Sequence, residues 1–536
     1  MSALSISNLR LDIHGHPVLH DIDLTLEPGK VLGIVGESGS GKSMTALSVM
    51  QLLPRGSNWS GEIRVGGISL AGKDEAALCQ MRGRDVGMIF QEPMTALNPV
   101  RTIGDQVAET VRVHTDASRR EALDVARDML NRVGLPESRF PLDRYPHDLS
   151  GGQRQRVVIA QAIALRPKVL IADEPTTALD VTTQAQILDL LRELVREEDM
   201  GLMLITHDLA VVAGMADTIA IMKQGEVVEA GPTREVFREM RHPYTRALFS
   251  ASGHVPDRGR KPEPSAVPVL SVTDVVRDYP QPRRNLFVRR PPFRAVDKVG
   301  FSISHGENVG LVGESGCGKS TLARAILALD PLQGGEIRLG GQLVSSAGEG
   351  PHPELRARMQ VVFQDPYGSF NPRHRVRRLV TEPFHLIKSP PTGAELDRRI
   401  DRALTEVGLS FSDADKYIHE FSGGQRQRIA IARALIIEPA LIVLDEAVSA
   451  LDVSIRAQIL DLLAELSDRL DLSYLFISHD LSVVRAITDR VLVMKDGRIV
   501  EEGETESVFR NPKHPYTREL VAATPSLQAA LAAPAT

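Results

Sequence analysis

The sequence predicts an α/β fold with two tandem domains, each containing a largely parallel sheet covered by helices on both faces. A glycine-rich loop occurs twice, as GESGSGKS at residues 36–43 and GESGCGKS at 313–320, between a short apolar run and a helix-like run. Later motifs recur at a constant offset of 272 residues, for example Ser150 and Ser422 (422 − 150) or His242 and His514 (514 − 242). The apolar runs VLIADE and LIVLDE are typical of buried parallel strands. The chain is therefore an internal duplication.

Composition places the chain among ordinary globular proteins. Its 536 residues are 42% hydrophobic and 25% charged, and this length suggests about three or four domains or subdomains. A net charge of -6 gives no global basic field, which disfavours nucleic acid as the main ligand. No apolar run approaches the ~18 residues that span a bilayer, and the N-terminus lacks signal-peptide features. We therefore expect a cytosolic protein that reaches a membrane only through partners. Cys79 and Cys317 lie in different halves and predict no disulfide.

Four segments are predicted along the chain. Residues 1–250 form the first domain with its tail, 251–268 a proline-rich linker, 269–527 the second domain with its tail, and 528–536 a disordered C-terminus. The linker contains GHVPDRGRKPEPSAVP, whose prolines and charges favour an extended tether over a folded element.

The repeated glycine-rich loop has the sequence of a phosphate-binding loop, or P-loop. Between a strand and a helix N-terminus, its backbone N–H groups can face an anion. Lys42 and Lys319 can reach the β- and γ-phosphates of a nucleotide, and the serine after each lysine can bind Mg²⁺. One copy could be a chance glycine turn, but two copies in matching contexts predict nucleotide binding. The predicted phosphate-binding residues of the two loops are Gly36, Ser38, Gly39, Gly41, Lys42, Ser43, Gly313, Ser315, Gly316, Gly318, Lys319 and Ser320.

An Asp-Glu pair ends a later apolar run in each half. Asp173 and Asp445 lie 131 and 126 residues after the P-loop lysines (173 − 42 and 445 − 319). An aspartate provides the hard oxygen that Mg²⁺ prefers, and the adjacent Glu174 or Glu446 can polarise an attacking water. A lone Asp-Glu pair would more often be a solvated strand end, but its repetition behind a P-loop favours the catalytic interpretation.

A glutamine and a histidine are also repeated. Gln91 and Gln364, in FQEPMTALNP and FQDPYGSFNP, can contact Mg²⁺ or the attacking water without adding charge, although a glutamine before such a turn is more often structural. His207 and His479 close apolar runs 34 residues after the aspartates (207 − 173 and 479 − 445). A lone histidine there would most often be a core residue, but the matched placement favours a contact with the γ-phosphate.

The sequence SGGQ occurs in both halves before an amphipathic helix. Its S-x-x-Q spacing predicts a capping box, and a well-capped helix alone would explain it. Two glycines in the first turn, however, reduce helix propensity and leave N–H groups open to an anion. We therefore predict phosphate binding by the residues of both copies, Ser150, Gly151, Gly152, Gln153, Ser422, Gly423, Gly424 and Gln425.

These motifs, in this order and twice, resemble those of the ATPase subunits of ABC transporters over nearly the whole chain. The resemblance implies P-loop ATPase domains, each with a RecA-like core, an antiparallel β subdomain and a helical subdomain, in a head-to-tail pseudo-dimer that binds ATP and Mg²⁺. Each ATP would then lie between the P-loop of one half and the SGGQ of the other. Asp180 and Asp452 match the family's loop that crosses between the sites. The implied metal ligands are Ser43, Gln91, Asp173, Ser320, Gln364 and Asp445.

A finer resemblance is to the bacterial importers of oligopeptides, dipeptides, nickel and glutathione. It rests on F-Q-[ED]-P-x-x-x-[LF]-N-P, on SGGQRQR, and on the tails RHPYTRALFSA and KHPYTRELVAATP. A proline-started helix would also explain HPYT, but its repetition after both halves favours this subfamily. The resemblance implies an ATP-hydrolysing importer subunit, peripheral at the cytoplasmic face of the bacterial inner membrane. The implied partners are two membrane-spanning permease subunits and an extracytoplasmic substrate-binding protein; the cargo is not fixed.

The chain departs from the family pattern at several positions. No cysteine follows Cys317, so we predict no iron–sulfur cluster. Ala447 replaces the proline found at position 175, and a modest change of the loop is expected. Tyr279 is the candidate for stacking on adenine in the second half, whereas Ile13 occupies the equivalent place in the first, where His14 or His16 could substitute. The insertion at 280–294 contains five arginines and is either a solvated loop or a contact for a partner or lipid.

A soluble twin ATPase of translation or DNA repair is the alternative. Such translation factors join their halves by a long charged helical linker, whereas this linker is short and proline-rich. DNA-repair ATPases carry long insertions between P-loop and SGGQ, whereas the intervals here are 108 and 103 residues (150 − 42 and 422 − 319). The importer is therefore favoured.

Overall fold

The structure is a computed structural model that describes residues 2–91, 96–177, 179–259, 267–281, 290–348, 353–365, 368–449 and 451–532. Parts of the two FQ loops, residues 260–266 of the linker and most of the insertion at 280–294 lie outside these ranges. None of the helices in the described ranges has the length and apolarity that a bilayer-spanning helix requires.

The first half contains two sheets. A four-stranded antiparallel sheet has the order β2-β1-β4-β5, and a six-stranded sheet has the order β10-β9-β3-β8-β7-β6, parallel except for its β9–β10 pair. The strands are β1 Leu4–Ile13, β2 His16–Leu26, β3 Val31–Val35, β4 Ser57–Val65, β5 Ile68–Ser69, β6 Val86–Ile89, β7 Val169–Asp173, β8 Gly201–Ile205, β9 Thr218–Lys223 and β10 Glu226–Pro232. The parallel strands β3, β6, β7 and β8 are buried along their whole length, as continuous apolar runs require.

Helices cover both faces of the large sheet. They are α1 Lys42–Met50, α2 Glu75–Met81, α3 Ile103–His114, α4 Arg119–Arg132, α5 Gly151–Ile163, α6 Val181–Glu198, α7 Leu209–Met215, α8 Thr233–Glu239 and α9 Pro243–Ser252, with a 3₁₀ turn at Pro146–Asp148. The helical subdomain is formed by α3, α4 and α5, which pack against one another. Helix α4 begins at a capping box between Ser118 and Glu121, which satisfies two N–H groups at its start.

The second half repeats this architecture. Its sheets have the orders β12-β11-β14-β15 and β16-β17-β18-β13-β19-β20. The strands are β11 Leu270–Tyr279, β12 Phe293–Ile303, β13 Asn308–Val312, β14 Gly334–Leu339, β15 Gln342–Ser346, β16 Met359–Val362, β17 Leu441–Asp445, β18 Ser473–Ile477, β19 Arg490–Lys495 and β20 Arg498–Glu504. The helices are α10 Lys319–Ile326, α11 Pro353–Ala357, α12 Val376–Val380, α13 Gly393–Glu406, α14 Gly423–Leu435, α15 Val453–Leu470, α16 Leu481–Ile487, α17 Thr505–Arg510, α18 Pro515–Ala523 and α19 Leu527–Ala532, with 3₁₀ turns at Glu382–Leu386, Phe411–Asp415 and Ile418–Glu420. The predicted duplicated α/β fold is confirmed.

The two halves pack against each other through their tails. Helix α9 of the first tail packs on α15 of the second half, and α18 of the second tail packs on α6 of the first half. Val181 belongs to a buried apolar cluster of the second half, and Val453 belongs to one of the first half. Apolar burial therefore holds the halves together at both tails.

The linker and the C-terminus make contacts that the sequence did not indicate. Before residue 260 the linker is docked on the second half: His254 Nε2 lies 2.6 Å from Asp461 Oδ1, and the Arg258 guanidinium bonds the Ile487 carbonyl at 2.9 Å and Asp489 at 3.0 Å. Residues 528–532, predicted to be disordered, belong to α19, which packs on α7 of the first half. The reason is that Leu527 and Leu531 pack against the apolar cluster beside α7.

Candidate active sites

Each P-loop turns sharply after a buried strand. A Cβ atom on Gly36 would stand 2.2 Å from the Met222 carbonyl oxygen, and one on Gly313 would stand 2.2 Å from that of Met494. Both glycines have positive φ angles, 157° and 154°. Only glycine fits these positions, because a side chain would collide with the neighbouring strand.

The P-loop lysines lie buried inside their own loops. Lys42 Nζ donates to the carbonyl oxygens of Gly36 and Glu37, each at 2.8 Å. Lys319 Nζ makes the same two bonds in the second half, to Gly313 and Glu314, at 2.7 and 2.9 Å. Burial lowers the pKa of Lys42, against the influence of nearby carboxylates. Each ammonium group is thus held at the centre of its loop.

The predicted metal-binding aspartates end β7 and β17, each the second strand from one edge of its sheet. Asp173 is 6% exposed, and its buried Oδ1 has no hydrogen-bond partner within the described residues. Burial raises the pKa of Asp173, and a hydrogen bond with Ser43 lowers it only in part. Burial, with the charge of Glu446, raises the pKa of Asp445 to about 6. A buried carboxylate oxygen without a partner is suited to a cation.

Glu174 stands at the centre of the first group of predicted catalytic residues. Its carboxylate lies 3.4 Å from His207 Nδ1, and it accepts hydrogen bonds from Gln91 Nε2 at 3.1 Å and Thr177 Oγ1 at 2.8 Å. Burial alone would raise the pKa of Glu174, but the hydrogen bond and charge of His207, with Thr177, lower it to about 2. The carboxylate is therefore ionised at neutral pH.

Both glutamates adopt left-handed backbone conformations, with φ of 47° at Glu174 and 51° at Glu446. Such angles are uncommon for residues with a side chain and are tolerated when surrounding contacts fix them. Here each glutamate N–H donates to the end of the adjacent strand, Ile205 or Ile477, at 2.9 Å. The replacement of Pro175 by Ala447 therefore leaves Glu446 in the same backbone position.

The second site differs in how its glutamate is held. Glu446 lies 3.2 Å from His479 Nδ1, and His479 lowers the pKa of Glu446 against the effect of burial. Ser449 occupies the place of Thr177, but its hydroxyl donates to the Glu446 backbone carbonyl at 2.9 Å and not to the carboxylate. The two groups of predicted catalytic residues are thus similar in composition and unlike in hydrogen bonding.

The P-loop of each half contacts an aspartate of the other half. Ser38 N donates to Asp452 Oδ1 at 2.8 Å, and Ser315 N donates to Asp180 Oδ2 at 3.4 Å. Thr182 also donates to Glu314 of the opposite P-loop, at 2.8 Å. Asp180 and Asp452 therefore cross between the halves.

The two SGGQ segments begin α5 and α14 with the expected capping boxes. A Cβ on Gly152 would lie 2.3 Å from Thr183, whose N–H donates to Asp180, the residue that reaches the opposite P-loop. In the second half, a Cβ on Gly424 would lie 2.6 Å from Ile455 at the start of α15. Each SGGQ thus lies beside the segment that extends to the P-loop of the other half.

Three tyrosines make contacts that bear on the predicted nucleotide sites. Tyr279 donates to Asp330 at 3.0 Å, and the guanidinium of Arg277 lies 4.4 Å from its ring centre, so adenine stacking stays a prediction. Tyr244 and Tyr516, the tyrosines of HPYT, contact the P-loops of their own halves through Glu37 and Glu314, which the sequence reasoning did not anticipate. The repetition of HPYT was the available signal.

Comparisons with known proteins agree with this geometry. The family described as "ABC transporter" matches residues 19–177 and 296–449, and "Oligopeptide/dipeptide transporter, C-terminal region" matches 228–272 and 500–535. The chain is 45% identical to the glutathione import ATP-binding protein GsiA of Escherichia coli K12, over 98% of this chain and 90% of that protein. It is 47% identical to the GsiA protein of Salmonella typhimurium LT2, over 97% and 89%.

Two solved structures are also similar. One is cbiO1 from Clostridium perfringens, part of the ABC transporter complex cbiONQ, with a TM-score of 0.40 and 28% identity over 46% of this chain and 92% of that chain. The other is an ATP-binding cassette in a post-hydrolysis state with ADP and Pi, with a TM-score of 0.39 and 30% identity over 43% and 98%.

Proposed function

The chain belongs to the ATP-binding proteins of ABC transporters and is an ATPase, and from this premise we propose that it drives import of glutathione or a related peptide-like solute. The observation that carries the proposal is the similarity to glutathione import ATP-binding proteins over almost the whole length, including the tail of each half. The alternative role in translation or DNA repair is not favoured by these relatives.

We infer two composite ATP sites. Site one combines the P-loop and catalytic residues of the first half with the SGGQ of the second, and site two is the reverse. The crossing bonds of Asp180 and Asp452 support this pairing, because each lies in the segment next to an SGGQ and contacts the opposite P-loop. The helix N-terminus at each SGGQ then presents N–H groups to the phosphates of the other half's nucleotide.

The residues of each site fit a Mg²⁺ ion. Ser43, Asp173 and Gln91 would hold it at site one, and Ser320, Asp445 and Gln364 at site two. No group of three or more His, Cys, Asp or Glu side chains in the described ranges is placed to hold a metal. Magnesium at nucleotide sites is usually bound by one or two protein side chains together with the phosphates, which would complete the coordination here. When bound, Mg²⁺ neutralises charge on the phosphate oxygens.

The glutamates are the proposed general bases. Glu174 is ionised, and Gln91 and Thr177 hold one of its oxygens. The other oxygen, beside His207, would orient a water for in-line attack on the γ-phosphate. His207 and His479 would contact the γ-phosphate. Lys42 and Lys319 would neutralise the negative charge that develops on ADP as it leaves the γ-phosphate.

Lowering the pH through about 6 is expected to raise the Mg²⁺ concentration that gives half-maximal ATPase activity. Asp445 has a pKa raised to about 6, so its ionised fraction falls as pH decreases below that value, and a protonated carboxyl group does not bind Mg²⁺. Between pH 7.5 and 5.5 the required Mg²⁺ should rise about fourfold. Mg²⁺ titrations of steady-state ATPase activity at the two pH values measure this.

The control is ATP binding in EDTA, which should change less than twofold between the same pH values. In Asp445→Asn, the Mg²⁺ requirement of site two should no longer change between pH 7.5 and 5.5. An unchanged Mg²⁺ requirement at pH 5.5 would contradict the assignment of Asp445 as a ligand.

The proposed partners are membrane-spanning permease subunits and an extracytoplasmic binding protein, which would place this chain at the cytoplasmic face of the bacterial inner membrane. Phe90 and Phe363 immediately precede the site glutamines and are 42% and 38% exposed. Exposed aromatic residues of this kind are typical of protein interfaces. We propose that this pair contacts the two permease subunits and couples them to the active sites.

Purification from detergent-solubilised membranes is expected to recover the chain with two permease subunits, and Phe90→Ala with Phe363→Ala should reduce that recovery by about tenfold. Val255→Ser, at an exposed apolar residue of the linker, is the matched control. Uptake of labelled glutathione and of dipeptides by cells with and without the chain identifies the cargo. Recovery with ribosomes and without membrane proteins would contradict the importer.

A further inference from the structure

The HPYT tyrosines bind the P-loops of their own halves. The Glu37 N–H donates to the Tyr244 hydroxyl at 3.1 Å, and the Glu314 N–H donates to the Tyr516 hydroxyl at 2.8 Å. These N–H groups follow Gly36 and Gly313, the glycines at which the loops turn. Each tyrosine is buried, at 8% and 2% exposure, so its hydroxyl is a fixed partner of the loop.

The rest of the motif holds the tyrosine in place. In the first half, His242 Nδ1 accepts from Tyr244 N at 3.2 Å and caps α9, which starts at Pro243. The Glu229 carboxylate accepts from the N–H groups of Arg241 and His242 and from the Thr245 hydroxyl. In the second half, His514 caps α18 in the same way, and Glu501 accepts the equivalent N–H groups. The histidine, proline and tyrosine of HPYT thus have the same roles in both tails.

The tyrosine ring is also held by a cation. Lys223 Nζ lies 4.9 Å from the Tyr244 ring centre, and Lys495 Nζ lies 4.5 Å from that of Tyr516. Burial raises the pKa of Tyr244 to about 12 and raises that of Tyr516 as well, so both remain neutral phenols at physiological pH.

The same tail helices join each P-loop to the opposite half. Next to the Glu37 N–H, the Ser38 N–H donates to Asp452 of the other half. Helix α9, which carries Tyr244, packs on α15, the helix that follows Asp452. Two consecutive N–H groups of the first P-loop are therefore bonded, one to its own tail and one to the opposite half. Both partners connect to α15, because α9 packs on this helix and Asp452 directly precedes it.

We propose that Tyr244 and Tyr516 are positioning residues that set the P-loop of their own half for ATP. Each tail then connects the P-loop of its own half to a helix of the other half. This helix is α15 for the first tail and α6 for the second. The inference concerns ATP binding and not the cargo, so it holds for any imported solute.

The test measures binding of a fluorescent, non-hydrolysable ATP analogue to the full chain with one site disabled. Lys319→Ala removes binding at site two, and Lys42→Ala removes it at site one. In the Lys319→Ala background, Tyr244→Phe should weaken binding about five- to tenfold, because one hydrogen bond to the loop is lost while the ring remains. Tyr516→Phe in the same background should change the Kd less than twofold. In the Lys42→Ala background the two effects should be exchanged.

Ser252→Ala is the control for changes in the tail helix, because it removes an exposed side-chain hydrogen bond at the end of α9, from Ser252 to the Phe249 carbonyl, and keeps the contacts that hold the tyrosine. It should alter the Kd at site one less than twofold. The proposal is overturned if either tyrosine variant affects both sites equally, if neither affects its own site, or if Ser252→Ala reproduces the effect of Tyr244→Phe. A general loosening of the fold would weaken binding at both sites. It would not make Tyr244→Phe act only in the Lys319→Ala background and Tyr516→Phe act only in the Lys42→Ala background.

Discussion

Glu174→Gln and Glu446→Gln are each expected to reduce ATP hydrolysis at their own site by at least about 100-fold while ATP binding is retained. Loss of a general base typically costs two to four orders of magnitude. The change is nearly isosteric, so the left-handed backbone at each position should persist. The structure thus predicts a defect in chemistry and not in folding.

The measurement is phosphate release together with analogue binding for each variant. Glu226→Gln, at an exposed glutamate that begins β10, is the matched control and should retain full activity. Because the Glu174 carboxylate is ionised far below neutral pH, protonation of this group should not limit activity between pH 5 and 8. Normal turnover in either Gln variant would remove that glutamate from the mechanism.

Gly152→Asp is expected to stop hydrolysis at site two, although residue 152 belongs to the first half. The substitution brings a carboxylate to a helix N-terminus that we propose faces phosphates, where a negative charge repels the ligand. Its Cβ would also meet Thr183 at 2.3 Å, next to the segment that reaches the opposite P-loop. We expect a loss of about 100-fold in the activity of that site, as when one oxyanion donor is lost.

Combined variants identify the affected site. Gly152→Asp should add less than twofold to the defect of Glu446→Gln, since both would act on site two, and at least tenfold to that of Glu174→Gln. Gly424→Asp should show the mirrored pattern. If Gly152→Asp were instead non-additive with Glu174→Gln, each site would be formed within one half. Circular dichroism and melting temperatures of the single variants control for misfolding.

The sequence allowed prediction of the elements that carry a repeated motif. Buried runs such as VLIADE and LIVLDE form β7 and β17, and both SGGQ segments begin helices with capping boxes, because these features depend on local periodicity and spacing. Residues distant in sequence, such as Gln91, Glu174 and His207, meet because their strands are adjacent in one parallel sheet. Their assignment to catalysis stays a prediction.

Contacts made by tertiary packing could not be predicted. The docking of Arg258 on Asp489 joins residues 231 positions apart through a partly buried ion pair, and no local pattern in a proline-rich segment indicates it. The bond between Tyr244 and the P-loop depends on how the tail folds back, at a separation of 207 residues. The last helix formed where disorder was expected because its leucines find an apolar surface on the first half.

The docked linker limits how the two halves can separate. Residues 254 to 259 are fixed to the second half by His254, Arg258 and the Gly259 N–H, which donates to Asp468 at 2.8 Å. The chain therefore attaches to the second half directly after α9, on the same side of the molecule where α9 packs on α15. Because α18 and α6 join the halves at the second tail as well, release of nucleotide should open the pair by rotation with both tail contacts kept, and not by translation of one half away from the other.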